Sequence, residues 1–222
     1  MSVFEAVIFG GKILLIVNAL ILLLMCALHY FKYKSIMSRS MILLMMLLFG
    51  TVYIELASWH LYNRNVPNLH LTHFYTIGQF LLISVIYYKL LDKFKLAIPI
   101  GVILFSSVLI YQLLDSKIIY DEFNTSGFLV SACILIGYAF LYFVEHISEK
   151  KYWDSFNVGL FLYLGGSSII FLTLSNLRDL KDWHMFLWTI NGVLIIFYQA
   201  FISITIYRYY RGVKNQNGIS SV

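Results

Sequence analysis

The sequence predicts an all-α membrane protein, a single bundle of seven transmembrane helices over residues 1–222, and three observations predict it. First, 60% of the 222 residues are apolar and only 12% are charged, about half the charged share of an ordinary soluble domain. Second, apolar runs of roughly twenty residues recur along the whole chain, each long enough to cross a hydrocarbon core about 30 Å thick. Third, the connections between those runs are short and polar, leaving no stretch from which a soluble domain could be built.

The first span is read at about Val7–His29. It lacks a basic start and a small-residue cleavage site, so it is expected to stay in the mature protein. Spans two and three are read at about Met41–Tyr62 and Leu71–Leu91. The fourth, about Leu96–Leu114, carries Pro99 in its first turn, where a missing N–H costs least and no kink is required. Spans five, six and seven are read at about Gly127–Ile147, Ser155–Leu177 and His184–Tyr209. From Tyr210 onward the chain turns polar and is expected to fray.

Lys and Arg set the orientation, because cytoplasmic loops hold an excess of them. Lys32, Lys34, Arg39, Lys89, Lys93, Lys95, Lys150, Lys151, Arg208, Arg211 and Lys214 flank the odd-numbered loops and the tail. The even-numbered loops carry Arg64, Lys117, Arg178 and Lys181 beside Asp115, Asp121, Glu122, Asp179 and Asp182. The N-terminus is therefore expected outside and the C-terminus in the cytoplasm. The net charge of +5 then reads as a basic cytoplasmic rim near anionic lipid, with no basic cluster or motif for nucleic acid.

Several classes are disfavoured. Cys26 and Cys133 fall at opposite depths, too far apart for the ~6 Å Cα separation of a disulfide, and read as small apolar residues. Between His184 and Tyr207 there is no lysine for a retinal Schiff base. Spans four to six lack the mid-depth acidic chain of an ion pump. The serines of Gly165-Gly166-Ser167-Ser168 lack the strand-to-helix elbow of soluble hydrolases and read as a place where helices approach closely. Spans one to three show no convincing repeat in spans five to seven, which disfavours a transporter without removing it.

The polar residues converge at one depth. Counting about 1.5 Å of rise per residue from the outer ends, Lys12, Glu55, Gln79 and Asn191 all lie roughly 8–12 Å below the outer surface. Ionisable groups at that depth are costly unless paired or hydrated, so Lys12 and Glu55 are expected to form an ion pair facing the bundle interior. The alternatives are that Lys12 snorkels outward and that Gln79 and Asn191 are interhelical hydrogen-bond glue. Helical spacing extends the cluster to Trp59 and Tyr62 beside Glu55, to Thr72 and Thr76 beside Gln79, and to His184, Trp188 and Tyr198 beside Asn191. Convergent polar groups among aromatic walls are what small-molecule sites between helices use. For Trp59, Tyr62 and Trp183 the interfacial aromatic belt is an equal reading. The expected ligand-binding set is Lys12, Glu55, Trp59, His73, Thr76, Gln79, Trp188 and Asn191, with no catalytic residue. His60, His70, His73 and His184 crowd the outer side and are weak metal candidates, without metal-ligand spacing; solvated loop histidines are the other reading, and no cofactor is predicted.

The residues His73-Phe74-Tyr75-Thr76 with Gln79-Phe80, then Asn157, Gly159, Tyr163 and Gly166, and Trp188-Thr189-Ile190-Asn191, resemble a family of small, uncharacterised seven-helix integral membrane proteins of Bacteroidota, some similar to the membrane sensing portion of signalling kinases. Gln79 stands where that family has Glu, which tells against proton handling or metal ligation there, and the loop proline lies farther from the histidine. The resemblance implies a multi-pass protein of the bacterial inner membrane with no output domain of its own. The function expected is a receptor-like or sensory protein, with an outward pocket for a small molecule or lipid and a membrane signalling partner or second copy to carry the signal. A small-solute transporter is the first alternative, and a membrane-embedded metal-dependent hydrolase the second.

Overall fold

The computed structural model describes residues 3–31, 37–66, 68–113, 125–147, 151–176 and 181–219. These form seven helices: α1 Val3–Phe31, α2 Arg39–Asn63, α3 Leu69–Leu90, α4 Ala97–Leu113, α5 Thr125–Glu145, α6 Trp153–Asn176 and α7 Lys181–Ile219. Five are long and apolar enough to cross a membrane, α1, α2, α5, α6 and α7. Of the other two, α4 has 17 residues, about 25 Å of helix. The 22 residues of α3 are long enough, but its first half carries His70, Thr72, His73, Thr76 and Gln79, which lower its hydropathy.

Helix ends fall within a few residues of those read from the sequence, with one exception. The chain does not leave the last helix at Tyr209: α7 runs 39 residues to Ile219. Beyond Tyr209 the residues are polar but hold no proline, and polarity alone does not end a helix once its first turns are packed.

Neighbouring helices in the chain pack side by side, and α7 returns to α1, so that α1, α2, α3, α5, α6 and α7 close a ring. α4 touches only α3 and α5 and leaves Ile100, Ile103, Leu104, Ile110 and Tyr111 exposed, so it stands outside that ring. The outward surfaces of the other helices are also apolar, with Leu20, Leu24, Phe140, Ile169 and Phe197 exposed, as suits hydrocarbon rather than water.

Packing inside the ring is tightest in the half away from the start of α1. Leu22, Met41, Leu44, Ile83, Ile86, Tyr87, Phe156 and Ile202 are fully buried there. Polar ties fix the helices: the Tyr87 hydroxyl donates to Asn157 Oδ1, joining α3 to α6, and Tyr142 donates to Asp154 Oδ1 at 3.0 Å, joining α5 to α6. Glu145 Oε1 accepts the N–H groups of Asp92 (2.8 Å) and Lys93 (3.2 Å), so the end of α5 caps the α3–α4 turn. Glycines set the spacing of α6 against α7. A Cβ at Gly159 would lie 2.6 Å from Phe201 Cβ, and one at Gly166 would lie 2.5 Å from Leu194 Cδ1, whereas Gly165 meets nothing within 4 Å. Of the Gly165–Ser168 stretch, where close approach of helices is expected, Gly166 meets α7 in this way and Ser167, fully buried, bonds Asn191 of α7.

The α2–α3 turn is also specified locally. Val66 N–H bonds the Leu61 carbonyl at 3.0 Å, and Asn65 adopts φ 54°. This is the Schellman ending of a helix with Asn in the left-handed position. Cys26 on α1 and Cys133 on α5 are both free thiols.

Candidate functional site

The ring leaves a cavity of about 360 Å³ in the half of the bundle where α1, α3 and α7 begin and α2 and α6 end. α1 contributes Val7, Gly11, Lys12 and Leu15; α2 contributes Leu47, Leu48, Thr51, Ile54, Glu55 and Ser58. α3 adds Thr72, Tyr75 and Gln79, α6 adds Tyr163, and α7 adds Trp188, Asn191, Gly192, Ile195, Tyr198 and Gln199.

Lys12 Nζ lies 2.7 Å from Glu55 Oε2, with the two side chains 45% and 44% exposed. The depth argument that paired residues on α1 and α2 therefore matches the geometry, and Lys12 does not snorkel away. Partial exposure matters, because a pair that is not fully buried escapes part of the desolvation that a buried one suffers. Asn191 both faces the cavity and ties two helices, its Oδ1 accepting the Ser167 hydroxyl at 2.7 Å. Gln79 lines the same space and is buried at 6% exposure. Trp188 lines it too, its ring met edge-on by Phe171 at 5.8 Å.

Three of the expected residues do not line the cavity. The lining stripe of α2 is centred near Thr51 and ends in Ser58. At about 100° per residue, Trp59 is rotated roughly 80° from that centre, and it is 62% exposed on the outer surface of the bundle. On α3 the stripe runs through Thr72, Tyr75 and Gln79, which puts Thr76 to one side and His73 further round. Thr76 spends its hydroxyl on the Thr72 carbonyl of its own helix, at 2.9 Å. His60 is exposed and His70 half-buried. Among the described residues no three His, Cys, Asp or Glu side chains are grouped to hold a metal ion. The side chains of His184, Trp183 and Tyr62 lie outside the described residues.

Sequence reasoning missed the floor. The rings of Tyr163 and Tyr198 stack with centroids 5.1 Å apart and planes 8° from parallel, and Phe156 packs beneath Tyr198 at 6.1 Å. The Tyr198 hydroxyl is buried without a hydrogen-bond partner among the described residues. Tyr75 from α3 completes the aromatic wall. Tyr198 did share a helical face with Asn191 in the sequence. Tyr75 and Tyr163 enter the sequence reading only among the residues of the family resemblance, because helical spacing from Gln79 selects Thr72 and Thr76 and no polar anchor marks Tyr163.

Under the floor lies a buried polar clamp between α1 and α7. Asn18 Nδ2 donates to the Gln199 carbonyl at 2.9 Å and to Gln199 Oε1 at 3.0 Å. The Ser203 hydroxyl donates to Asn18 Oδ1 at 2.7 Å. With Leu22, Leu44, Ile83 and Ile202 fully buried beyond it, the interior in that direction is filled by side chains. The arrangement can hold a small molecule against aromatic rings with amides and a neutralised ion pair around it. No protein-family model, no curated protein and no solved structure matches the chain.

Proposed function

We propose that the chain is a receptor-like or sensory protein of the bacterial inner membrane. It crosses the bilayer seven times with its N-terminus outside and its C-terminus in the cytoplasm. Its cavity takes a small molecule or lipid from the outer side and passes the signal to a membrane partner, either a signalling kinase or a second copy. The observation that carries this reading is a cavity walled by five helices above a packed half-bundle. A receptor needs one chamber closed below, whereas a transporter needs a route to both faces. The resemblance through Tyr75, Tyr163 and Trp188–Asn191 to a family some of whose members are similar to membrane sensing portions of kinases supports the same class, because those residues line the cavity or adjoin it.

In this reading α3 and α4 also span, α3 tolerating its polar first half because Thr72 and Gln79 line the chamber and the Thr76 hydroxyl bonds its own helix. Reporter fusions test the topology: Lys34, Lys93 and Lys150 should report cytoplasm, and Arg64 and Asp121 the outside. Native mass spectrometry of protein extracted in mild detergent tests the rest. A retained small molecule, lost when Glu55 and Gln79 are replaced, supports a receptor. Solute flux through vesicles containing the protein would replace this reading with a transporter.

A further inference from the structure

The chemistry of the occupant can be taken further, resting on the reading of the cavity as a ligand site. Charge is the first discriminator. Lys12 and Glu55 neutralise each other at 2.7 Å, and every other lining residue among the described ones is an amide, a hydroxyl, an aromatic, an aliphatic or a glycine. A ligand with net charge would leave water for a chamber that offers it no uncompensated partner among the described residues, which is unfavourable.

The second discriminator is Gln79. Its side chain is buried at 6% exposure and lines the cavity, and no hydrogen bond ties its amide to a described residue. Buried polar groups are ordinarily satisfied. The amide offers a donor pair and an acceptor side by side, so it is fitted to a neutral group that can accept, donate or do both. Asn191 lines the same cavity with its Oδ1 already engaged by Ser167, which leaves its NH₂ as the end suited to a ligand oxygen. Shape is the third. At about 360 Å³ the chamber is near the lower limit of small-molecule sites, roughly 300–1,000 Å³, and Tyr75, Tyr163, Tyr198 and Trp188 give it flat aromatic walls.

We infer that the cavity binds a compact, net-neutral ring compound bearing a carbonyl or carboxamide group, read by the Gln79 amide with Asn191 beside it. The Lys12–Glu55 pair closes the charge balance at the chamber wall and selects against anions and cations alike.

A matched series of one ring system tests this: naphthalene-2-carboxamide, naphthalene-2-carboxylate and naphthalen-2-ylmethylammonium, titrated against the full chain in nanodiscs with empty discs as the blank. Quenching of tryptophan fluorescence reports binding, since Trp188 lines the chamber. The carboxamide should bind at least tenfold more tightly than either ion. Gln79→Met should weaken the carboxamide about three- to tenfold, the range expected for one hydrogen bond. It should leave the unfolding temperature of the empty protein unchanged or higher, because no partner within the protein is orphaned. Gln79→Glu should reverse the order in favour of the ammonium compound. Tightest binding of a charged member to the natural chain would overturn the neutral-ligand inference while leaving the cavity a ligand site. A Gln79→Met variant that loses stability but no affinity would overturn Gln79 as the reader. If no member binds above the blank and native spectra also show nothing retained, the inference and the receptor reading fall together.

Discussion

Replacing Lys12 by Met and Glu55 by Gln, singly and together, measures what the ion pair contributes. At an effective dielectric near 20, two unit charges about 4 Å apart attract by roughly 4 kcal/mol before any desolvation is subtracted. A dry pair loses roughly 3–5 kcal/mol when one partner goes, and a fully exposed pair roughly 0.2–1 kcal/mol. With both side chains nearly half exposed, the pair falls between those limits. Each single substitution is expected to cost about 1–2 kcal/mol, and the double substitution no more than either single one, a coupling of about 1–2 kcal/mol. For a chain of this length that is roughly 2–8 °C in unfolding temperature for each single change. The assay is thermal unfolding in detergent or nanodiscs for all four proteins, with carboxamide binding followed in parallel. Restored stability without restored binding would give Glu55 a role at the ligand beyond neutralising Lys12. Strictly additive losses would refute the reasoning, since they would mean that the two charges do not sense each other at 2.7 Å.

Two further substitutions test the frame around the cavity. Gly159→Ala places a methyl group 2.6 Å from the Phe201 Cβ, an atom that cannot rotate aside, so helices α6 and α7 must separate. A loss of about 1–3 kcal/mol is expected from overpacking, and unfolding together with carboxamide affinity would report it. Asn18→Leu removes both donors to Gln199 and the acceptor for Ser203. It should lower stability by about 1–3 kcal/mol by leaving the buried Gln199 Oε1 unpaired, since the Ser203 hydroxyl keeps its bond to the Gln199 carbonyl at 3.1 Å; an unchanged unfolding temperature would show that the clamp contributes nothing.

Helix number and boundaries are legible in this chain because hydrocarbon demands long apolar runs with internally satisfied backbone, and loops interrupt them with charge. The persistence of α7 to Ile219 is not legible in the same way, since hydropathy marks where a helix could leave the hydrocarbon and says nothing of where its hydrogen bonds stop. Depth is equally readable. Counting rise along antiparallel helices brings together Lys12, Glu55, Gln79 and Asn191, and all four line one chamber. Rotation about each helix axis is where the reading loses precision. A soluble helix displays its inward face as an apolar stripe, but a membrane helix is apolar all round. Spacing from Glu55 therefore could not separate Ser58, which lines the cavity, from Trp59, which does not. The same uncertainty favoured Thr76 over Tyr75 on α3, although the two lie only one residue apart.

The clamp of Asn18 with Gln199 and Ser203 also has a consequence for assembly. It joins residues 181 positions apart, and it lies where the first helix meets the seventh. Until the last helix has been threaded into the bilayer, α1 has only α2 beside it, and the chamber is an open cleft missing the wall that holds Trp188, Asn191 and Tyr198. Ring closure is the longest-range step in building the bundle, and contacts of such separation form late. A molecule that settles in the chamber touches both sides of that seam at once, so occupancy favours the closed ring over the open one. A ligand of the chamber would then hold newly made protein in the closed ring.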